Sequence, residues 1–131
     1  MLGRVKDKLS IAPEIADAIA AGAPVVAWES SLIAHGLAAP ANLEIARRLE
    51  AAVRAEGAVP ATIGIVGGRI HVGLDGDAIA RLARGAGVMK VSRRDLAVAL
   101  ATGRDGGTTV AATMVCAHQA GIRMFATGGI G

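Results

Sequence analysis

The sequence predicts a layered α/β/α domain whose sheet is mixed, mostly parallel, and contains one β-hairpin. Three observations carry that expectation. Short apolar, partly β-branched runs alternate with longer amphipathic or alanine-rich segments, the pattern of strand–helix–strand units. A Gly67–Gly68 pair separates two strand-like runs, "ATIGIV" and "RIHVGL", as a hairpin turn does. Of the 131 residues, 53% are hydrophobic, ample for one core in a chain of single-domain length.

Along the chain, Pro13 to Ala21 reads as a short helix, with proline at a first-turn position, an early acid and Gly22 as the stop. Pro24 to Trp28 is a compact apolar strand. Asn42 stands as an N-cap for a helix over Leu43 to Glu56, which places Ile45, Ala46, Leu49, Ala52 and Val53 on one face. The hairpin comes next, then a short helix from Asp75 to Arg84. Val88 to Val91 is the next strand. Ser92 caps a helix running to Ala101, with Asp95 in its first turn. "GRDGGTT" reads as a glycine-rich loop. Val110 to Ala120 is apolar almost all round and is expected to be a buried helix, and Ile122 to Ala126 is a final strand. That strand runs straight into "TGGIG", so the domain is expected to be cut short at its C-terminal end.

Composition narrows the function. The net charge is +3, but the basic residues are scattered, with local clusters only at Arg47–Arg48 and at Lys90, Arg93 and Arg94. One Trp, one Phe and no Tyr leave no stacking platform for single-stranded nucleic acid. A small anionic substrate suits the surplus at least as well. One cysteine, Cys116, excludes an internal disulfide and a cysteine-based zinc site, and its apolar setting reads as a packed thiol. The basic N-terminus is succeeded by the acids Glu14 and Asp17 rather than by an unbroken apolar run, so no signal peptide is expected. No apolar run nears the ~20 residues of a membrane span. A soluble cytoplasmic protein is the expectation.

The residues able to carry chemistry lie at strand ends and helix starts. Glu29 comes directly after the strand ending at Trp28, where a carboxylate among apolar groups serves as a general acid or base, or else caps amides or pairs with an arginine. His35, before Gly36, holds a ligand, orients Glu29 or makes an ordinary loop hydrogen bond. "GGTTV", Gly106 to Val110, opens a helix. Its first-turn amides suit a phosphate, unless Thr108 or Thr109 caps them. Without a lysine in the motif it is not a P-loop. Lys90 interrupts "VMKV" and sits either at a sheet edge in solvent or beside a phosphate on the Thr108–Thr109 turn. His35, His71 and His118 show no metal-ligand spacing.

Five stretches occur in order: "AWESSLIAHGL", "GAVPATIGIVGGRIHVGL", "KVSRRDL", "GTTVAATM" and "AGIRMFATGGIG". Together they resemble pseudouridine-5'-phosphate glycosidases over nearly all the chain from about residue 14 onward. The resemblance implies that residues 1–131 are the N-terminal portion of one such domain, a C-glycosidase or carbon–oxygen lyase. Its reaction is reversible: pseudouridine 5'-phosphate and water give uracil and ribose 5-phosphate. By the matching motifs Glu29 is the proton donor, Lys90 binds substrate, and Val110 binds it through its backbone amide. Mn²⁺, a homotrimer and an imine-forming lysine are further implications, with the metal-binding aspartate and that lysine expected beyond Gly131. The chain alone is therefore expected to turn over little substrate. Trp28, Ser31 and Ala38–Ala39 depart from the family pattern. Two other readings stand beside this one: a non-catalytic sugar-phosphate or nucleotide-binding module, and a different sugar-phosphate enzyme using Glu29 and His35 directly.

Overall fold

The computed structural model describes residues 2–130. Helix α1 (Leu2–Asp7) leads into β1 (Leu9–Ile11), two elements too short to show a periodicity of their own. Helix α2 (Pro13–Ala20) opens on its proline, where the missing N–H costs no bond, and β2 (Val25–Trp28) comes after it. A π-helical turn, Leu32–Gly36, then precedes α3 (Ala41–Ala55). Strands β3 (Val59–Val66) and β4 (Arg69–Val72) make the expected hairpin, with φ of +58° and +72° at Gly67 and Gly68, as a type I′ turn requires.

Helix α4 (Gly76–Ala83) is capped by Asp75, whose carboxylate accepts the Ala78 N–H at 2.8 Å. After β5 (Met89–Val91), a 3₁₀ turn at Arg93–Asp95 runs into α5 (Leu96–Thr102). The amide and then the hydroxyl of Ser92 donate to Asp95 and hold its carboxyl below the ordinary value. The last elements are β6 (Gly106–Thr108), α6 (Val110–Ala120) and β7 (Met124–Ala126).

Three expectations are corrected. Gly106–Thr108 is a strand, because β3 and β5 supply partners on both of its edges. Asn42 is not a cap: α3 begins one residue before it. The amide is 2% exposed and donates to Ile33 O at 3.0 Å and Ala83 O at 2.7 Å. Its NH2 group goes to carbonyls on two other elements, while its Oδ1 accepts the Leu43 N–H at 2.8 Å from within the first turn. Helix α6 is not buried all round. Ala112, Thr113, Cys116, Ala117 and Ala120 face inward, but Met114 is 56% exposed and His118 lies outside. The Cys116 thiol is packed as read, and burial pushes its pKa up to about 12.

The sheet is mostly parallel and forks on β3. On one edge β4 pairs antiparallel, with β1 parallel beyond it. Along the other edge β2 pairs parallel with Val59–Thr62, while β6 pairs antiparallel with Gly64 and Ile65. Strands β2 and β6 therefore run head to head and converge near Thr62–Ile63. Each has a parallel partner outside it, β7 beside β2 and β5 beside β6. One apolar cluster joins this sheet to α2, α5 and α6, and a second, around Ile33, Ala46, Leu74, Ile79 and Leu82, joins it to α3 and α4. Helices on both faces complete the α/β/α layering.

Asn42 ties the π-helical turn, α3 and the end of α4 together. Asn42→Ala strands two buried carbonyls, at a cost of about 2 kcal/mol. Thermal unfolding should show a lowered Tm, whereas an unchanged Tm would mean that water reaches both carbonyls.

Candidate active site

The convergence of β2 and β6 explains Ser30, the first of the two serines after Glu29. Ser30, Thr108 and Thr113 are each 0% exposed. The Thr108 amide donates to Ser30 Oγ at 2.8 Å, and the Thr108 hydroxyl donates to Ile63 O at 2.7 Å. Thr113, one turn into α6, donates its hydroxyl to Thr108 Oγ1 at 2.9 Å, and Ser30 Oγ lies 3.2 Å from the same oxygen. Gly107 completes the join: a Cβ there would meet Ala34 Cβ at 3.0 Å and Ser30 O at 3.2 Å. Both glycines before Thr108 thus admit the protein's own atoms, since a Cβ on Gly106 would meet Val91 Cγ2 at 2.5 Å.

Glu29 is partly buried at the C-terminal end of β2, beside β7. Its Oε1 accepts the Thr127 hydroxyl proton at 2.7 Å. The Gly129 carbonyl lies 3.0 Å from that hydroxyl, but the single proton goes to the nearer acceptor. Trp28, Glu29, Asn42, Thr62 and Gly128 line a cavity of ≈ 20 Å³, room for about one water molecule and too small for a nucleobase. The Trp28 indole N–H has no hydrogen-bond partner among the described residues. Thr62 is engaged elsewhere, donating to Glu50 on α3 at 2.7 Å.

The start of α6 separates the two threonines. Thr108 faces inward and holds the turn from beneath. Thr109 occupies the cap position, yet it makes no capping bond, and its buried Oγ1 has no partner among the described residues. Neither threonine caps the helix, so the first-turn amides around Val110 are left for another acceptor. An open groove of ≈ 390 Å³ reaches this start, lined by Ser92, Arg93, Arg94 and Ala111.

Lys90 is exposed on β5, an edge strand, in register with Gly107. Strand alternation sets it opposite Val91, which is buried on the α6 side, so Lys90 faces the side bearing the π-helical turn. His35, exposed near the end of that turn, does not line the Glu29 cavity. The structure therefore joins Glu29 to Thr108, Thr109 and Val110 through Ser30, not through a shared cavity, and it does not bring His35 to Glu29. Among the described residues no group of three or more His, Cys, Asp or Glu side chains could hold a metal ion. The side chains present do not fit the manganese site that the resemblance implies. Nor is any helix among those residues long and apolar enough to cross a membrane.

The family model of indigoidine synthase A-like proteins matches residues 14–131. The chain belongs to the indigoidine synthase A-like family. Among its relatives, pseudouridine-5'-phosphate glycosidase of Rhodospirillum centenum is 66% identical over 125 residues, 95% of this chain and 39% of that protein. The protein of the same name from Paracoccus denitrificans is 59% identical, over 94% of this chain and 41% of its own length. The chain thus spans about two fifths of these relatives. Two solved structures share the fold. The prealnumycin C-glycosynthase AlnA, in complex with ribulose 5-phosphate, has a TM-score of 0.83 at 51% identity, covering 93% of this chain and 39% of that one. An indigoidine synthase A-like protein of Thermotoga maritima has a TM-score of 0.81 at 30% identity, covering 92% of this chain and 39% of its own.

Within this indigoidine synthase A-like chain, Ser30, Thr113 and Thr127 shape the site without having stood out as candidates. Ser30 is hidden in a pair of serines, and only pairing geometry tells which of two turns inward. Thr113 carried a signal: a hydroxyl on the inward face of an apolar helix needs a buried partner.

Proposed function

We propose that this chain carries the proton-transferring carboxylate and the phosphate-holding turn of a pseudouridine-5'-phosphate glycosidase. The reaction cleaves the C–C glycosidic bond reversibly to uracil and ribose 5-phosphate. The observation that carries this reading is the uncapped start of α6, with a Thr109 hydroxyl unpartnered among the described residues, latched through Ser30 to the loop bearing Glu29. The names of the relatives and the sugar phosphate bound to AlnA support it.

In this reading the Val110 amide and the Thr109 hydroxyl donate to the sugar phosphate, Arg93 and Arg94 offset its charge, and Lys90 reaches the substrate from the other face of β5, on the side of the π-helical turn. Thr108 supports the turn from below, and His35 contacts the substrate from the exposed π-helical turn. Glu29 delivers the proton that the base carbon needs before uracil can leave. Manganese finds no ligand set among the described residues. A cytoplasmic homotrimer is the setting that accompanies this reading.

Titration with ribose 5-phosphate, followed by amide NMR, should move the resonances of Thr109, Val110 and Ala111. Flat titration curves there would overturn the phosphate assignment. Incubation with pseudouridine 5'-phosphate and Mn²⁺ should release little or no uracil, because the chain spans only 39% of the relative it matches at 66% identity. That same share favours a second reading for the chain by itself, a sugar-phosphate or nucleotide-binding module. Binding without turnover supports the module for the isolated chain, whereas robust uracil release rules it out.

A further inference from the structure

We propose that Ser30, Thr108 and Thr113 are positioning residues that transmit occupancy of the α6 start to the loop carrying Glu29. The inference rests on the phosphate reading above and adds a coupling between its two halves. Thr113 is bound into the first turn of α6, its amide donating to Thr109 O at 2.8 Å. Its hydroxyl donates to Thr108, and the Thr108 amide donates to Ser30, the residue after Glu29. All three side chains are 0% exposed, so solvent does not compete for these bonds.

Geometry makes the path continuous and stiff. β2 and β6 meet head to head along one edge of β3, and Thr108 is anchored to that edge through Ile63 O. The contact at Gly107 leaves no slack beside the path, since Ser30 O and Ala34 Cβ sit where a Cβ would lie. Apolar side chains at the three positions would fill the space without fixing which atom faces which. Hydroxyls with these partners hold the Glu29 loop at one setting relative to the α6 start. A ligand that orders the first turn of α6 thereby orders the loop that presents the acid.

Trp28 supplies the readout. It is the one Trp of a chain with no Tyr, it precedes Glu29, and it lines the same cavity. Ribose 5-phosphate should change Trp28 emission in the unaltered chain and in Thr108→Ser, which keeps the hydroxyl. In Thr108→Val, calorimetry should still detect binding while the emission change is lost. Ser30→Ala, which removes the acceptor of the Thr108 amide, should behave likewise and serves if the valine variant does not fold. Binding with an undiminished Trp28 response in both variants overturns the coupling alone. The same holds if the unaltered chain binds with no change in emission. Absence of binding by the unaltered chain overturns the phosphate reading and the coupling with it.

Discussion

Replacing Gly107 with valine is expected to cost about 3 kcal/mol of stability and to loosen the Glu29 loop. Strand pairing holds Gly107 between Gly64 on β3 and Lys90 on β5, so the backbone cannot retreat. Its Cβ would sit 3.0 Å from Ala34 Cβ, 3.2 Å from Ser30 O and 3.3 Å from Ser31 Cα. Two of these neighbours are backbone atoms, and the third is a methyl with no rotamer to change. Valine adds two further methyls in the same space. The strain is relieved only by pushing the segment after β2 away from β6, which lengthens the Ser30–Thr108 bonds. Denaturant unfolding should show a lower midpoint with an unchanged slope. Gly76→Ala is the control, because that site has open space and an ordinary φ. There the change should be neutral or stabilising, because alanine takes backbone freedom from the unfolded chain, and an absence of loss at Gly107 as well would show that the close contacts do not govern the effect.

The same glycine shows why part of the fold is illegible in the sequence. A run such as "GRDGGTT" looks locally like a ligand loop, because glycine reports only that something comes close. Here the close atoms belong to Val91, Ser30 and Ala34, brought there by strands far apart in the chain. Gly67–Gly68 was legible because its cause is local: a two-residue turn between strand-like runs demands positive φ. The capped start at Ser92 was legible for the same reason, being satisfied within three residues. Asn42 was misassigned because its partners, Ile33 O and Ala83 O, lie on other elements. Helix α6 is so rich in alanine and valine that no stripe marks its inward face, and the sheet decides that Met114 points out. At the site, Glu29 and Lys90 stood out as charges at strand positions. Which of two adjacent threonines would be buried depended on β6 being a strand.

Glu29→Gln is expected to reduce uracil release by about 10²–10⁴-fold, the usual contribution of a positioned proton donor. The measurement requires a complete enzyme, so the sequence of this chain would replace the matching 125-residue segment of the Rhodospirillum centenum glycosidase. Glutamine occupies nearly the same volume, and its carbonyl oxygen still accepts the Thr127 hydroxyl proton that Glu29 Oε1 takes at 2.7 Å. The loop and the α6 start should therefore keep their places, and ribose 5-phosphate affinity should be unaltered. What glutamine lacks is a transferable proton. A carbon leaving group holds its electrons poorly until it is protonated, so the loss should fall on kcat with KM nearly constant. A chimera that loses affinity and rate together would show that the carboxylate acts on binding, through the loop it shares with Ser30. A chimera that keeps its rate would remove Glu29 from proton transfer, and the bond to Thr127 would then stand as a tie between the ends of β2 and β7.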